Sequence, residues 1–476
     1  MSQSLWTVED MRAAMNARLV GEVAHDVTGL SIDTRTLQQN EAYFAIKGDV
    51  HDGHKFVANA YASGAGVSVV SEDWLDKLEG ETGPLLVVKD VLVGLEDLGR
   101  AGRARTEAKI VAVTGSVGKT TTKEALRTAL SASGKVHAAV ASFNNHWGVP
   151  LTLARMPQET QFGVIEIGMN HPGEITPLVK MAQPHVVIIN NVAAVHLGAF
   201  KDVDEIAHAK AEIFDGLLEG GTAVLNGDDE RIDLLCDLAG KANVSNIVKF
   251  GEAEDADVHM DKLVLHGTCS CLTANVLGDA MVVKVGAPGR HIAQNALAVL
   301  ATCKLMGADL AKAGLALADL EAVKGRGQRH RLKHGDDRII LIDESYNANP
   351  TSMRAALALL AAANVKGRGR RIAVMGDMLE LGPTSQELHA DIWEAVVEHG
   401  IDKVFLAGPE MEALQNSLQG KVETVHALTI DALIAPIKQD LISGDVIMAK
   451  ASLGMAFARL IDDLLQTFEI ESANGA

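Results

Sequence analysis

Residues 110–124 read Ile-Val-Ala-Val-Thr-Gly-Ser-Val-Gly-Lys-Thr-Thr-Thr-Lys-Glu, and this stretch decides the fold of the chain. The apolar, mostly β-branched run over 110–113 predicts a buried strand that ends in a turn at Gly115. The residues from Thr120 onward place apolar side chains on one face of a helix. A strand, a glycine turn, a lysine with a hydroxyl residue and then a helix form the layout of a phosphate-binding loop, because the N–H groups at a helix N-terminus attract anions.

The predicted loop contacts a nucleotide through consecutive residues. In such loops a lysine, here Lys119, reaches the β- and γ-phosphates, and the next residue, Thr120, supplies a hydroxyl to Mg²⁺. The turn is shorter than the usual G-x-x-x-x-G-K-[ST] motif, since Val113 stands where that motif has its first glycine. An ordinary turn rich in small residues is the alternative, but Lys-Thr directly after Gly118 favours a nucleotide. The predicted nucleotide-binding residues of the loop are Gly115, Ser116, Val117, Gly118, Lys119, Thr120 and Thr121.

Length and charge narrow the class of protein. A chain of 476 residues is expected to form about two to four domains. The net charge of 43 − 62 = −19 argues against binding to nucleic acid or to a membrane surface. The N-terminus has neither the basic nor the apolar segment of a signal peptide, and no apolar run reaches the roughly 18 residues of a membrane span. We therefore expect a cytoplasmic protein without membrane insertion.

The alternation of strand and helix patterns predicts an α/β protein of three domains. Residues 1–106 indicate a small α/β module, in which we interpret His51 and His54 as solvated turn residues rather than metal ligands. Residues 107–324 indicate a mostly parallel sheet, and residues 325–476 indicate a second, doubly wound sheet. The strands predicted in this last part are 339–343, 372–376, 404–408 and 446–450.

Polar residues end two buried strands of the central part. The runs 162–168 and 185–192 are almost wholly apolar, which is typical of strands covered on both faces. Because ligands bind beyond the carboxyl ends of parallel strands, Glu166, Asn191 and His196 are expected to converge on the loop. The Glu166 carboxylate suits Mg²⁺. A single histidine such as His196 is more often structural, and Lys210 by itself indicates a solvated helix lysine.

These features together resemble the Mur ligase family, ATP-dependent enzymes that add amino acids during peptidoglycan synthesis. The resemblance extends over nearly the whole chain. It comprises the short phosphate-binding loop, the acidic residue after a buried strand, and a lysine among small residues in a helix. The matching positions are 114–121, Glu166, Asn190, Asn191, His196, Lys210, Arg290, His291, Asn295, Gly325 and Arg326.

Longer stretches resemble one branch of the family, whose members add the dipeptide D-alanyl-D-alanine. One of them reads Asp-Glu-Ser-Tyr-Asn-Ala-Asn-Pro over 343–350. The others are 142–152, 165–175 and 375–382.

The resemblance implies a domain for the UDP end of the acceptor (1–106), an ATP-binding domain with a phosphate-binding loop (107–324) and a C-terminal Rossmann-like domain (325–476). It implies that ATP phosphorylates the terminal carboxylate of a UDP-N-acetylmuramoyl-tripeptide to an acyl phosphate. The amine of D-alanyl-D-alanine then attacks, giving an amide, ADP and phosphate. The implied partners are these small molecules, and a monomer is expected.

The resemblance also assigns roles to individual residues. Thr120 and Glu166 would hold Mg²⁺, and His196 would ligate a second Mg²⁺. Lys210 matches a family lysine that is carbamylated, which turns an ammonium into a carboxylate that can bind a cation; with Lys119 and His196 it forms the implied catalytic set. Further implied contacts are Asn295, Arg326, Asp343, Asn347 and Asn349 for the nucleotide, Asn144 and Asn145 for the acceptor peptide, and Asp33, Thr34 and Arg35 for the UDP group.

Two alternatives remain open at the level of sequence. One is a sister amide ligase on the same scaffold. It would be either an enzyme that adds diaminopimelate or lysine, or a protein like folylpolyglutamate synthase, which adds glutamate. The other is a nucleotide-driven switch or transport ATPase. The stretch 343–350 favours the D-alanyl-D-alanine branch over the sister ligases. The chain has no switch-like segment or membrane element to favour the ATPase.

Overall fold

The computed structural model describes residues 4–48, 50–78, 83–195, 197–335 and 337–471. These residues form three mostly parallel sheets of five, nine and six strands, one in each successive part of the chain. The prediction of a three-domain α/β fold is therefore confirmed. The domain limits at residues 106 and 324 stay predictions. No helix in the described ranges is long and apolar enough to cross a membrane.

The N-terminal domain packs its helices against a five-stranded sheet. Its elements are α1 (Val8–Ala14), β1 (Arg18–Val20), β2 (Leu30–Ser31), β3 (Ala42–Phe44), α2 (Val57–Ala62), β4 (Val67–Ser71), β5 (Leu85–Val88) and α3 (Val91–Ala104). The strand order is β1-β5-β4-β3-β2, and all neighbours are parallel except β1 and β5. Phe44 packs into the apolar cluster on one face and Tyr43 into the cluster on the other. The sheet is thus covered on both sides.

His54 is buried, so its interpretation as a solvated turn residue is wrong. Its Nδ1 lies 2.6 Å from Oδ1 of Asp52, and its Nε2 accepts the backbone N–H of Ser71 at 3.0 Å. Its ring stacks on Trp74 with 4.9 Å between the ring centroids. The turn pattern does not predict this burial because Ser71 and Trp74 come from a later strand and the segment after it. His51 is exposed, as expected.

The central domain is built on a nine-stranded sheet. Its strands are β6 (Lys109–Thr114), β7 (Val136–Ala138), β8 (Phe162–Glu166), β9 (Val186–Ile189), β10 (Thr222–Asn226), β11 (Asn246–Gly251), β12 (Val258–Leu265), β13 (Ser270–Val276) and β14 (Asp279–Val285). Its helices are α4 (Lys119–Ser131), α5 (Gly148–Ala154), α6 (Ile175–Ala182), α7 (Val203–Ala211), α8 (Ile232–Lys241), α9 (Arg290–Leu305) and α10 (Leu310–Ala316). The strand order is β14-β13-β12-β11-β10-β9-β6-β8-β7, and β12, β13 and β14 form an antiparallel extension of the parallel part.

Strand β6 lies inside this sheet, between β9 and β8. Its residues alternate between two cores: Val111 and Val113 pack with α4 and α9, whereas Ile110 and Ala112 pack on the opposite side with α5 and α6. Burial on both faces is the reason why the whole run must be apolar. The sheet thereby holds the phosphate-binding loop at the carboxyl end of a rigid central strand.

The C-terminal domain has a six-stranded sheet with the order β15-β16-β20-β17-β18-β19. Its strands are β15 (Gln328–His334), β16 (Asp337–Glu344), β17 (Arg371–Gly376), β18 (Lys403–Ala407), β19 (Glu423–Ala427) and β20 (Val446–Lys450). Its helices are α11 (Pro350–Ala361), α12 (Ser385–Ala390), α13 (Ile392–Glu398), α14 (Met411–Leu418), α15 (Asp431–Asp440) and α16 (Ala458–Thr467). All neighbouring strands are parallel except the hairpin of β15 and β16.

The sequence pattern predicts the four inner strands of this domain but not the two at its edges. Strand β15 buries only Leu332, and β19 buries none of its residues. An edge strand needs an apolar residue on one face at most, so neither segment carries the apolar run that marks an inner strand.

Candidate active site

The carboxyl ends of strands from the central and C-terminal domains line a common cavity of about 310 Å³. Polar groups that follow β6, β8 and β9 lie on one side, and groups that follow β16 and end β20 lie on the other. The ends of parallel strands are where ligands bind in open α/β sheets. The predicted site residues that line the cavity are Ser116, Val117, Gly118, Lys119, Thr120, Thr121, Asn144, Glu166, Asn295, Arg326, Asn347 and Asn349.

Two glycines shape the phosphate-binding loop. Gly118, at the N-terminus of α4, has a φ of +86°, and a Cβ there would lie 2.7 Å from Nδ2 of Asn295. Gly115 has a φ of +152°, and a Cβ there would lie 2.9 Å from Cβ of Asn190. Any side chain at either position would push the loop away from β9 and α9. The loop is closed further by Asn191, whose Oδ1 accepts the N–H of Val117 at 2.9 Å.

Lys119 lies inside the loop and its amine is a weaker base than usual. Its Nζ donates a hydrogen bond to the carbonyl oxygen of Gly115 at 2.6 Å. Burial lowers the pKa of Lys119 to about 8; the Glu166 carboxylate opposes this shift and the Arg326 guanidinium adds to it. A phosphate bound here would supply negative charge, so it would raise the pKa and restore the charged ammonium.

A buried carboxylate faces the first turn of α4. Glu166, at the end of β8, is 2% exposed. Its Oε1 accepts hydrogen bonds from the Thr120 hydroxyl at 3.1 Å and from Nδ2 of Asn144 at 2.7 Å. Within the part of the chain that the structure describes, no donor reaches Oε2 of Glu166. A buried carboxylate oxygen without a hydrogen-bond donor is costly, and a hard cation would satisfy it.

Of the side chains that the structure describes next to Glu166, few could ligate a metal ion. Among the described residues, no group of three or more His, Cys, Asp or Glu side chains could hold a metal ion. Mg²⁺ is usually bound by one or two carboxylates together with substrate phosphates and water. Glu166 and the Thr120 hydroxyl, next to a phosphate-binding loop, therefore fit Mg²⁺ but not a metal that needs a protein cage.

Lys210 and His196 complete the predicted metal and catalytic set. Lys210 lies in α7, is 2% exposed and is not among the residues that line the cavity. Burial holds the pKa of Lys210 well below its usual value; the cationic Lys119 adds to this, and the Asp229 carboxylate opposes it. The interpretation of Lys210 as a solvated helix residue is thus wrong. His196 lies outside the described residues, so its predicted role stays a prediction.

Several predicted site residues have local structural contacts instead of facing the cavity. Oδ2 of Asp343 accepts the N–H of Gly325 at 3.0 Å, which positions the backbone next to Arg326. Oδ1 of Asn145 accepts the N–H of Gly148 at 3.0 Å, where α5 begins. Neither side chain lines the cavity.

The three residues predicted for the UDP group lie in the N-terminal domain, away from the cavity lining. Nη2 of Arg35 pairs with Oδ2 of Asp33 at 2.6 Å, and this hydrogen-bonded pair lowers the pKa of Asp33. The Arg35 side chain is 87% exposed. Arg35 is therefore accessible to an anionic ligand, and Thr34, between the two, belongs to the same surface turn.

The C-terminal side of the cavity contains side chains that sequence reasoning did not assign. Nζ of Lys450 donates to the carbonyl oxygen of Asn347 at 2.9 Å and lies 3.4 Å from Oε2 of Glu344. The Arg326 guanidinium lies 4.2 Å from the ring centroid of Tyr346. Their position in the sequence could have identified two of these residues, because Glu344 and Lys450 are the last residues of strands β16 and β20. Asn191, which is expected to converge on the loop, also lines the cavity, and further lining residues without a predicted role include Ser142, Asn190, Asn226, His291 and Gln294.

The fold and the cavity together define the class of protein. It is an α/β enzyme in which the phosphate-binding loop of the central domain faces the strand ends of the C-terminal domain. Three family descriptions match successive parts of the chain: "Mur ligase family, catalytic domain" over residues 26–100, "Mur ligase middle domain" over 113–303 and "Mur ligase, glutamate ligase domain" over 325–453. The chain belongs to the Mur ligase family, and it is an ATP-dependent ligase that forms a C–N bond.

Individual relatives are similar over most of their length. The UDP-N-acetylmuramoyl-tripeptide–D-alanyl-D-alanine ligase of Escherichia coli (strain K12) is 35% identical, covering 86% of this chain and 88% of its own. The ligase of the same name from Synechocystis sp. is 34% identical over 92% of each chain. The crystal structure of MurF from Acinetobacter baumannii superposes with a TM-score of 0.83 at 29% identity, covering 98% of this chain and all of that one.

The pKa of Lys119 predicts proton uptake when a nucleoside triphosphate binds. At pH 8 about half of the Lys119 amines are neutral in the free protein, and the phosphates would recharge them, so about half a proton is taken up per site. At pH 6 the amine is already charged and this contribution vanishes. Titration calorimetry in two buffers with different ionisation enthalpies measures the uptake.

The matched control for this titration is Lys119→Arg, whose guanidinium stays charged throughout this range. We expect the variant to lose the additional uptake at pH 8. Equal uptake at pH 6 and pH 8 in the unmodified protein would contradict the assignment of Lys119 to the phosphates.

Proposed function

We propose that the chain joins D-alanyl-D-alanine to UDP-N-acetylmuramoyl-tripeptide and uses ATP to activate the tripeptide carboxylate. The observation that carries this proposal is the cavity in which Lys119, Glu166 and Arg326 meet between two domains. The substrates are those in the names of relatives that are 31–35% identical and match most of this chain. A ligase with this name needs a site for a triphosphate next to a carboxylate, and the cavity has the charges for both.

The residues at the loop fit MgATP. Lys119 would contact the β- and γ-phosphates, while the Thr120 hydroxyl and Oε2 of Glu166, which has no donor among the described residues, would hold Mg²⁺. When bound, Mg²⁺ neutralises phosphate charge and aligns the transferring group. Asn295 and Arg326 line the same cavity and would contact the nucleotide from the helix side and the C-terminal side.

The chemistry requires that two anions approach each other. A carboxylate oxygen of the tripeptide attacks the γ-phosphorus and ADP leaves, which gives an acyl phosphate. The amine nitrogen of the dipeptide then attacks the acyl carbon, phosphate leaves and the nitrogen loses a proton. Lys119 and Arg326 would offset the negative charge in the first step, because fixed charges act strongly in a site that excludes water. Enclosure between two domains would also protect the acyl phosphate from hydrolysis.

The proposed roles of the remaining site residues are inferred from their positions in the structure. Asn347 and Asn349 line the C-terminal wall of the cavity and would contact the nucleotide edge. Asn144, bonded to Glu166, would lie nearest to the acceptor carboxylate. The exposed Asp33–Arg35 turn would bind the UDP end of the acceptor.

Lys210 is a candidate for carbamylation. Burial lowers the pKa of Lys210 and so favours the neutral amine, which is the form that attacks carbon dioxide. The nitrogen loses a proton to solvent, and the product is a carboxylate, which would place a buried negative charge near Lys119. Together with His196, such a carboxylate would form a second Mg²⁺ site.

We expect Lys210→Ala to lose most of its activity and to regain part of it with millimolar acetate or formate, since a small carboxylate can occupy the vacated space. The measurement is phosphate release with all substrates present. Lys180→Ala, which removes an exposed lysine at the end of α6, is the control and should keep full activity. Full activity of Lys210→Ala would exclude the carbamate.

The amine substrate is tested by phosphate release in the presence of ATP, Mg²⁺ and UDP-N-acetylmuramoyl-tripeptide. We expect release to depend on D-alanyl-D-alanine, because the acyl phosphate is consumed only by the amine that the site accepts. Diaminopimelate, lysine and glutamate are the matched alternatives. Release that depends on one of these amines instead would contradict the proposed substrate and would indicate a sister ligase.

A further inference from the structure

Lys123 is a buried lysine one turn beyond Lys119 in α4, and none of the roles discussed above involves it. Its side chain is 1% exposed. Its Nζ donates to the carbonyl oxygens of Ala139 at 2.7 Å and Ala141 at 3.3 Å, and it lies 2.8 Å from Oε1 of Glu124. A buried ammonium is costly unless its N–H groups are satisfied. These three oxygens match the three N–H groups of the lysine.

Two of the three acceptors belong to the segment 139–147, between β7 and α5, which we call the bridging loop. Phe143 is the apolar anchor of the loop and packs against the core of the N-terminal domain, whereas Val140 is 86% exposed. Between the two carbonyls bonded by Lys123 and the start of α5, the loop carries Ser142 and Asn144. On either side of Phe143, polar contacts therefore hold the loop in place.

The bridging loop contacts the two side chains proposed to bind the cation, Thr120 and Glu166. Oγ of Ser142 lies 3.2 Å from Oγ1 of Thr120, and Nδ2 of Asn144 donates to Oε1 of Glu166 at 2.7 Å. The carbonyl oxygen of Asn144 accepts the N–H of Gly168 at 2.8 Å, which ties the loop to the segment after β8. Because Oε1 of Glu166 is held in this way, Oε2 has a fixed direction.

We propose that Lys123 is a positioning residue: by bonding the bridging loop, it orients Thr120 and Glu166 for the cation. The cation itself rests on the proposed function. Without Lys123 the carbonyls of Ala139 and Ala141 lose their shared donor, and the loop no longer holds Ser142 and Asn144 in place. The Glu166 carboxylate then becomes free to rotate.

The competing explanation is that Lys123 only stabilises α4 through its ion pair with Glu124. That carboxylate also accepts a hydrogen bond from Nε of Arg127 at 2.7 Å, and it makes no hydrogen bond to the bridging loop among the described residues. Glu124→Gln therefore weakens the ion pair but leaves the bonds from Lys123 to the loop. It is the matched control for Lys123→Met, which removes both.

The first measurement is hydrogen–deuterium exchange of the full chain without nucleotide or metal. We expect faster exchange over 139–147 in Lys123→Met and unchanged exchange there in Glu124→Gln. Equal exchange in Lys123→Met and the unmodified chain would overturn the proposal whatever the enzyme catalyses. Should Lys123→Met fail to fold, Lys123→Gln keeps a polar donor that is too short to reach both carbonyls and must give the same result.

The second measurement is the Mg²⁺ concentration for half-maximal phosphate release. We expect Lys123→Met to raise it about 10- to 100-fold, as is typical when a group that orients a metal ligand is removed. The KM for D-alanyl-D-alanine should stay unchanged. A lower kcat at an unchanged Mg²⁺ requirement, or an equal rise in Glu124→Gln, would show a purely structural role. The two proposals can also fail separately. If exchange over 139–147 is faster in Lys123→Met but the unmodified chain releases no phosphate with these substrates, the positioning role stands and the proposed function is refuted.

Discussion

The buried carboxylate of Glu166 is the constraint on which the active site depends. One of its oxygens accepts hydrogen bonds from Thr120 and Asn144, while the other has no donor among the residues that the structure describes. A buried carboxylate oxygen without a donor is costly, and a cation would satisfy it. A cation at this point lies beside the loop that would hold the phosphates. The fold therefore places the proposed cation site next to the phosphate-binding loop.

The second constraint is that the positive charges come from both domains. The chain as a whole carries a net charge of −19, so an anionic substrate is attracted only where cations are concentrated. Lys119 comes from the central domain, whereas Arg326 and Lys450 come from the C-terminal domain. Burial is the main cause of the lowered pKa values of Lys119 and Lys450, and repulsion by the Arg326 guanidinium adds to it in both cases. The negative charge of ATP would offset that repulsion.

Much of this organisation could be predicted from local sequence. The loop over 110–124 and the polar residues at strand ends follow from rules about parallel sheets, so Glu166 and its neighbours were accessible to sequence reasoning. The burial of His54 was not, because its partners come from a later strand and the segment after it. The same applies to Asp343, whose carboxylate accepts a hydrogen bond from the backbone N–H of Gly325 in a preceding loop. Long-range contacts, and edge strands with little burial, leave no periodic signal.

The central claim is that ATP activates the carboxylate of the UDP-linked tripeptide at the cavity between the two domains. The most direct measurement is the fate of ¹⁸O placed in both oxygens of that terminal carboxylate. The account predicts that one labelled oxygen appears in each phosphate released, because the carboxylate oxygen bonded to phosphorus leaves with it. The other labelled oxygen remains in the new amide. Release of unlabelled phosphate together with the amide product would contradict the account.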